Sequence, residues 1–193
     1  MTATQPASQE TIIDLVGNAH GNLAKVTEIL EEHPELINVS APWVETPIQA
    51  ATHMGNRPIA DYLLSRGAGY DVFTAAMYGR RDDVERFLDE NPSLIHSRGV
   101  HDMPILYFPA VSGEAEMLAL LIDRGADVNE GAGQHTALHG AAQFGREAAV
   151  RLLLDRGANP GALNFENKTS LQLAEESGRQ DVVTLLKAQS HTR

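Results

Sequence analysis

Histidine is the residue type in this chain best suited to chemistry near neutral pH. Four of them, His53, His101, His135 and His139, could fall on one concave surface. A zinc ion would require three or four such ligands in a tetrahedral array. Their spacings match no ligand motif, so no metal and no other cofactor is expected. The neighbours His101 and Asp102 could carry acid–base chemistry if both faced a dry pocket, with His53, Tyr78 and Tyr107 around it. Nucleophilic catalysis lacks its parts: the sequence has no cysteine, no Gly-x-Ser-x-Gly and no phosphate loop. Gly131, Gly133 and Gly161 belong to turns, since no strand precedes them as a dinucleotide fingerprint demands. The acid pairs Glu31-Glu32, Asp82-Asp83 and Glu175-Glu176 read as solvated faces. No catalytic residue is expected.

The elements behind these residues are set by composition. The chain has 193 residues, 42% apolar and 21% charged, enough for one domain with a buried core. Aromatics are only 5%, so Leu, Ile, Val and Ala must fill that core, which suits closely packed helices. A net charge of −11 disfavours nucleic acid; it serves solubility or attracts a basic partner. Met1 to Glu10 is polar and unlike a secretory leader, and no apolar run is long enough for a membrane span. A cytoplasmic protein is expected.

Glycines divide the chain into similar units. Gly21, Gly55, Gly79, Gly113, Gly145 and Gly178 each separate two short apolar segments. Five residues after them stand Val26, Ala60, Val84, Leu118, Val150 and Val183. Eight after them stand Ile29, Leu63, Phe87, Leu121, Leu153 and Leu186, which spacing puts on one helical face. Four before them stand Gly17, Ala51, Ala75, Pro109, Ala141 and Ala174, mostly small enough for two helices to approach closely. Each unit therefore reads as short helix, turn, longer helix. One pair cannot bury its own apolar face, so neighbours must stack.

These residues resemble the ankyrin repeat. The fifth helix pair runs Thr136-Ala137-Leu138-His139, Ala141-Ala142, Gly145, Leu152-Leu153-Leu154 and Gly157-Ala158-Asn159. Thr46-Pro47-Ile48-Gln49 and Thr169-Ser170-Leu171-Gln172 match in part, and the likeness covers about residues 11–188. The resemblance implies an all-α ankyrin-repeat solenoid of six helix-turn-helix units, near 11–45, 46–69, 70–103, 104–135, 136–168 and 169–188, with tails at 1–10 and 189–193. Polar residues such as Asp14, Asn18 and His20 at one end, and Glu175, Glu176 and Lys187 at the other, read as caps of a complete array. In this family hairpin-like fingers project between helix pairs, and His139 would hydrogen-bond neighbouring backbone.

Two departures stand out. The interval from Gly55 to Gly79 is 24 residues against 32–34 elsewhere, so residues 67–71 leave no room for a finger. The notch is either a plain deletion or a recess for a ligand. A 58-residue offset also pairs Pro34-Glu35-Leu36-Ile37 with Pro92-Ser93-Leu94-Ile95, and Arg66-Gly67-Ala68 with Arg124-Gly125-Ala126, so the first four units look like a doubled two-unit block. In Tyr107-Phe108-Pro109-Ala110, proline replaces the usual alanine and tyrosine the usual histidine, giving either a pocket or a repacked core.

The resemblance implies a non-catalytic interaction module that binds another protein through its concave face and finger loops, as a monomer. The contact residues it assigns are Trp43, Glu45, His53, Met54, Met77, Tyr78, His101, Met103, Tyr107, His135, Gln143, Phe144, Phe165 and Glu166. Trp43 either meets a partner or folds back onto its neighbours. The alternative function is a small-molecule binder or unusual enzyme using a recess near the shortened finger.

Overall fold

The computed structural model describes residues 7–189. Of the tails expected at 1–10 and 189–193, residues 1–6 and 190–193 lie outside the described residues. Among the described residues every regular element is helical, apart from one isolated bridge between Arg98 and Pro104. The chain divides after Tyr70 into two compact units.

The first unit holds α1 (Gln9–Asn18), α2 (Leu23–Glu32), a 3-10 turn (Pro34–Asn38), α3 (Pro47–His53) and α4 (Arg57–Ser65). Each α-helix starts on a side-chain cap that satisfies an otherwise orphan amide. Ser8 accepts from Thr11, Asn22 from Lys25 and Asn56 from Ile59. Thr46 and Gln49 form a reciprocal capping box with Pro47 at the first helical position. Ala50 and Ala51 of α3 are fully buried, and Leu15, Val16, Val26, Ile29, Leu30, Ile59 and Leu63 are among the buried residues around them.

The second unit holds α5 (Val72–Met77), α6 (Arg81–Glu90), 3-10 turns at Pro92–His96 and Val100–Asp102, and then α7 (Tyr107–Ser112), α8 (Ala115–Asp123), α9 (Ala137–Gln143), α10 (Glu147–Asp155), α11 (Ser170–Glu176) and α12 (Gln180–Gln189). The short helices α5, α7, α9 and α11 pack side by side in that order, and α8, α10 and α12 form a second row behind them. A continuous aliphatic core from Val72 to Leu186 runs between the rows. This is the stacked arrangement of a helical solenoid.

The turn between the helices of a pair is made by glycine with positive φ, as at Gly145 (φ 69°), a region costly for other residues. Gly21 is not among the positive-φ residues; Asn22 and the carbonyl of Asn18 close that turn instead. The 58-residue doubling is structural as well: α2 and α6, the two Pro-led 3-10 turns, and α4 and α8 start at matched positions. Only residues 66–71 join α4 to α5, against 124–136 between α8 and α9 and 156–169 between α10 and α11. The unit boundary falls in this short connection.

The Tyr107–Ala110 segment has a local explanation. Pro104 stands where Thr46, Thr136 and Thr169 cap their helices, and it offers no side-chain acceptor. Helix α7 consequently begins only at Tyr107 and has no side-chain cap. Pro109 then lies in the first turn, where its missing N–H breaks no helical bond.

Candidate partner-binding surface

The fingers follow a common register. Their first amide donates to their last carbonyl: Ala41 to Glu45 (2.8 Å), Gly99 to Met103 (2.8 Å) and Asn164 to Lys168 (2.9 Å). In the second unit adjacent fingers are tied by backbone bonds from Gly133 to Leu163 (2.9 Å) and from Phe165 to Gln134 (3.1 Å). His139 anchors the same pair of fingers. Its Nδ1 accepts from the Thr136 amide (3.1 Å), and its Nε2 lies 3.0 Å from the carbonyl of Ala162. A carbonyl only accepts, so Nε2 carries the proton. Burial, partly offset by backbone contacts to Ala162 and Lys168, holds the His139 imidazole below its ordinary pKa. His139 is thus a neutral brace.

A file of rings leads outward from the core. Phe73 packs on Phe108 (4.8 Å), Phe108 on Tyr107 (6.1 Å), Tyr107 near His135 (5.9 Å), and His135 edge-on to Phe165 (5.0 Å). Phe108 is fully buried, whereas Phe165 is 59% exposed. Burial pushes the Tyr107 phenol well above its usual pKa, so it remains a neutral core group. At the outer end of the file, His101, Met103, Gln134, His135 and Phe165 line an open cleft of about 500 Å³. Its neighbourhood contains unusual backbone, since His101 and Asp102 both take positive φ (56° and 57°). Arg98 braces this loop, pairing with Asp102 at 2.8 Å and Glu130 at 3.2 Å.

The expected contact residues divide by exposure. Trp43, His101, Phe165 and Glu166 are exposed; Met54, Tyr78, His135, Gln143 and Phe144 are half-buried; Glu45, His53, Met77, Met103 and Tyr107 are buried. The cleft gathers His101, Met103, His135 and Phe165 of that set and adds Gln134, which the sequence reading passed over. Gln134 precedes His135 in the finger, so the finger register is the signal that points to it. Asp102, considered for acid–base work with His101, has its carboxylate on Arg98.

A different cluster forms in the first unit. The Trp43 indole donates to Oε2 of Glu45 at 2.6 Å, answering where Trp43 goes: it is pinned to its own finger with 43% of its surface still open. Nδ1 of His53 is 3.0 Å from Oε1 of Glu45, and Nε2 of His20 is 3.7 Å from Oε2. Burial disfavours the Glu45 carboxylate. Hydrogen bonds from His53 and Trp43 and the nearby imidazoles outweigh it, so its pKa lies below the ordinary value. His20 was read only as an end cap, and its place beside Glu45 comes from packing.

No described helix is long and apolar enough to cross a membrane. Residues 72–164 and 134–192 match the family described as "Ankyrin repeats (3 copies)". A putative ankyrin repeat-containing protein of Treponema pallidum is 36% identical over 138 residues, covering 67% of this chain and 44% of that protein. The putative ankyrin repeat protein R664 of Acanthamoeba polyphaga mimivirus is 37% identical over 89 residues, 45% of this chain and 55% of its own length. The E3 ubiquitin-protein ligase hecd-1 of Caenorhabditis elegans is 46% identical over 69 residues, 36% of this chain but 3% of the ligase. The chain thus spans about half, or much less, of each of these relatives.

Proposed function

Because the chain belongs to the ankyrin-repeat family, whose members are in general protein–protein interaction modules, we propose that it is a non-catalytic adaptor that seats a protein partner on its finger loops and the concave face beside them. One observation supports the reading most: the cleft at His101, Met103, Gln134, His135 and Phe165, with an exposed aromatic at its lip and a buried ring file beneath. A large apolar side chain of the partner would enter beside Phe165, while His101 and Gln134 supply polar contacts at the rim. Interfaces concentrate binding energy in such aromatic anchors. Tyr78, Gln143, Phe144 and Glu166 are proposed as flanking contacts in the second unit, Trp43 as a separate contact on the first, and the adaptor as a cytoplasmic monomer.

The test is a photo-crosslinking residue placed at Phe165, with a matched one at the exposed Glu147 as control. Expected are protein adducts specific to position 165, and a partner whose affinity falls at least tenfold on Phe165→Ala. Equal adducts at both positions, or unchanged affinity in the variant, would count against the assignment.

The cleft volume also suits a small molecule, since such sites span roughly 300–1,000 Å³. That second reading relocates the expected recess from the shortened finger to the fingers at 99–103, 131–135 and 164–168. Fragment soaking followed by chemical-shift mapping checks it, and a response at His135 and Phe165 without protein adducts would favour it over the adaptor.

A further inference from the structure

We propose that His20, Glu45 and His53 form a binding site for a divalent transition-metal ion of the zinc class.

Three unlike elements bring the ligands together. His20 follows the end of α1, Glu45 closes the finger ahead of α3, and His53 ends α3. One ligand atom from each lies within 4.8 Å of the other two. Around a tetrahedral ion with bonds of about 2.0–2.1 Å, ligand atoms sit about 3.3 Å apart. The separations of His53 Nδ1 from Oε1 of Glu45 and of His20 Nε2 from Oε2, 3.0 and 3.7 Å, lie to either side of that figure, one on each oxygen of the carboxylate. Two imidazoles and one carboxylate suit zinc, cobalt or nickel; calcium and magnesium prefer all-oxygen shells.

The protonation pattern points the same way. Nδ1 of His20 is 3.1 Å from the carbonyls of both Val16 and Gly17, so its proton is committed to backbone. In the neutral ring, Nε2 then presents a lone pair toward the carboxylate oxygen of Glu45. That leaves Nε2 facing the carboxylate oxygen at 3.7 Å, a gap that a proton or a metal ion would bridge. A backbone-anchored Nδ1–H with Nε2 directed at the metal is the usual second shell of a histidine ligand. Trp43 steadies the carboxylate in the same way through Oε2. Nδ1 of His53 also lies 3.1 Å from the carbonyl of Gln49, a contact that metal binding would give up as His53 enters by Nδ1 with its proton moved to Nε2. The His20 side chain is 33% exposed while Glu45 and His53 are buried, so an ion has an entry side, and water can complete the fourth position.

The register of the repeats separates this cluster from an ordinary brace. Finger-closing residue and the residue eight further on also meet in the last finger, where Lys168 and Glu176 pair at 2.8 Å. One acid and one base suffice for such a brace. Taking the residue before the linking glycine, the finger end and the residue eight beyond, the sets read His20-Glu45-His53, Tyr78-Met103-Val111, Ser112-His135-Gln143 and Phe144-Lys168-Glu176. The first set alone has a metal-ligand side chain at all three places. This site is independent of the partner cleft, so the failure of either leaves the other standing.

The experiment uses the full chain stripped of metal with a chelator, titrated with Zn²⁺ by calorimetry and with Co²⁺ by visible absorption. Expected are one tight equivalent of Zn²⁺, tetrahedral Co²⁺ bands, and a rise in thermal midpoint with metal. His20→Ala, at a half-open position that leaves the core intact, should weaken Zn²⁺ at least about tenfold and remove the midpoint rise. His33→Ala, a histidine outside the cluster, should change neither. Millimolar Zn²⁺ binding by the unaltered chain, or equal affinity in His20→Ala, overturns the proposal and leaves the cluster as a proton-held brace.

Discussion

The finger at 41–45 and the finger at 164–168 close with the same pair of backbone bonds, yet one buries its last residue and the other leaves it half-open. Glu45 is 0% exposed and sits among Trp43, His20 and His53; Lys168 stays half-open and reaches Glu166 and Glu176 at 3.4 and 2.8 Å. Their inner supports differ as well. In the last finger the buried Asn164 side chain accepts from the amides of Glu166 and Lys168, and His139 holds the strand of chain before it. In the first finger Ala41 occupies the Asn164 position and can accept nothing through its side chain. That finger is held instead by its carboxylate. The same backbone frame is thus fixed from inside by an amide in one place and by a buried acid among imidazoles in another.

The largest expected effect comes from removing the acid. Glu45→Ala should destabilise the metal-free protein by roughly 3 kcal/mol, as buried pairs do when one partner is deleted. Urea unfolding measures it, and a loss within error would mean that the first finger holds without its carboxylate. His139→Gln should cost about 2 kcal/mol, because Gln keeps the cap on the Thr136 amide, as Gln49 and Gln172 do in their own boxes, but leaves the Ala162 carbonyl without its donor.

The two braces also differ in pH window. The His139 pKa is lowered from 6.5, so its stabilisation is present above that pH and is lost as pH falls through the depressed value. The Glu45 pKa is lowered from 4.5, so its contribution holds down to more acidic conditions before it is lost. Unfolding free energy measured against pH should therefore fall in two stages, and His139→Gln should flatten only the upper one.

Smaller still is the effect of the turn residue. Val44 (φ 64°) and Asn167 (φ 58°) share one backbone conformation, which asparagine tolerates and a β-branched side chain does not. Val44→Asn should stabilise by about 1 kcal/mol and Asn167→Val should destabilise by about as much. Val44 is 77% exposed, so no packing is lost in the exchange. Lys168→Ala, at the position of Glu45, should leave the thermal midpoint unchanged within error, because its partners are solvated.

The sequence by itself determined the helix pairs, their turns, the doubled block and the missing finger. Those follow from local rules: apolar spacing at three and four, glycine where φ turns positive, proline where a helix must stop. The family resemblance carried by Thr136-Ala137-Leu138-His139 is what marked His139 as a bond-maker to backbone. Tertiary structure alone decided which finger residues turn inward. Met77, Met103 and Tyr107 resemble their exposed counterparts in the sequence, but packing buried them; Phe165 was left open beside His135. The meeting of His20 with Glu45 and His53 is of the same kind, for a side chain's neighbours across a stack depend on how successive pairs dock, and no spacing along one chain encodes that directly.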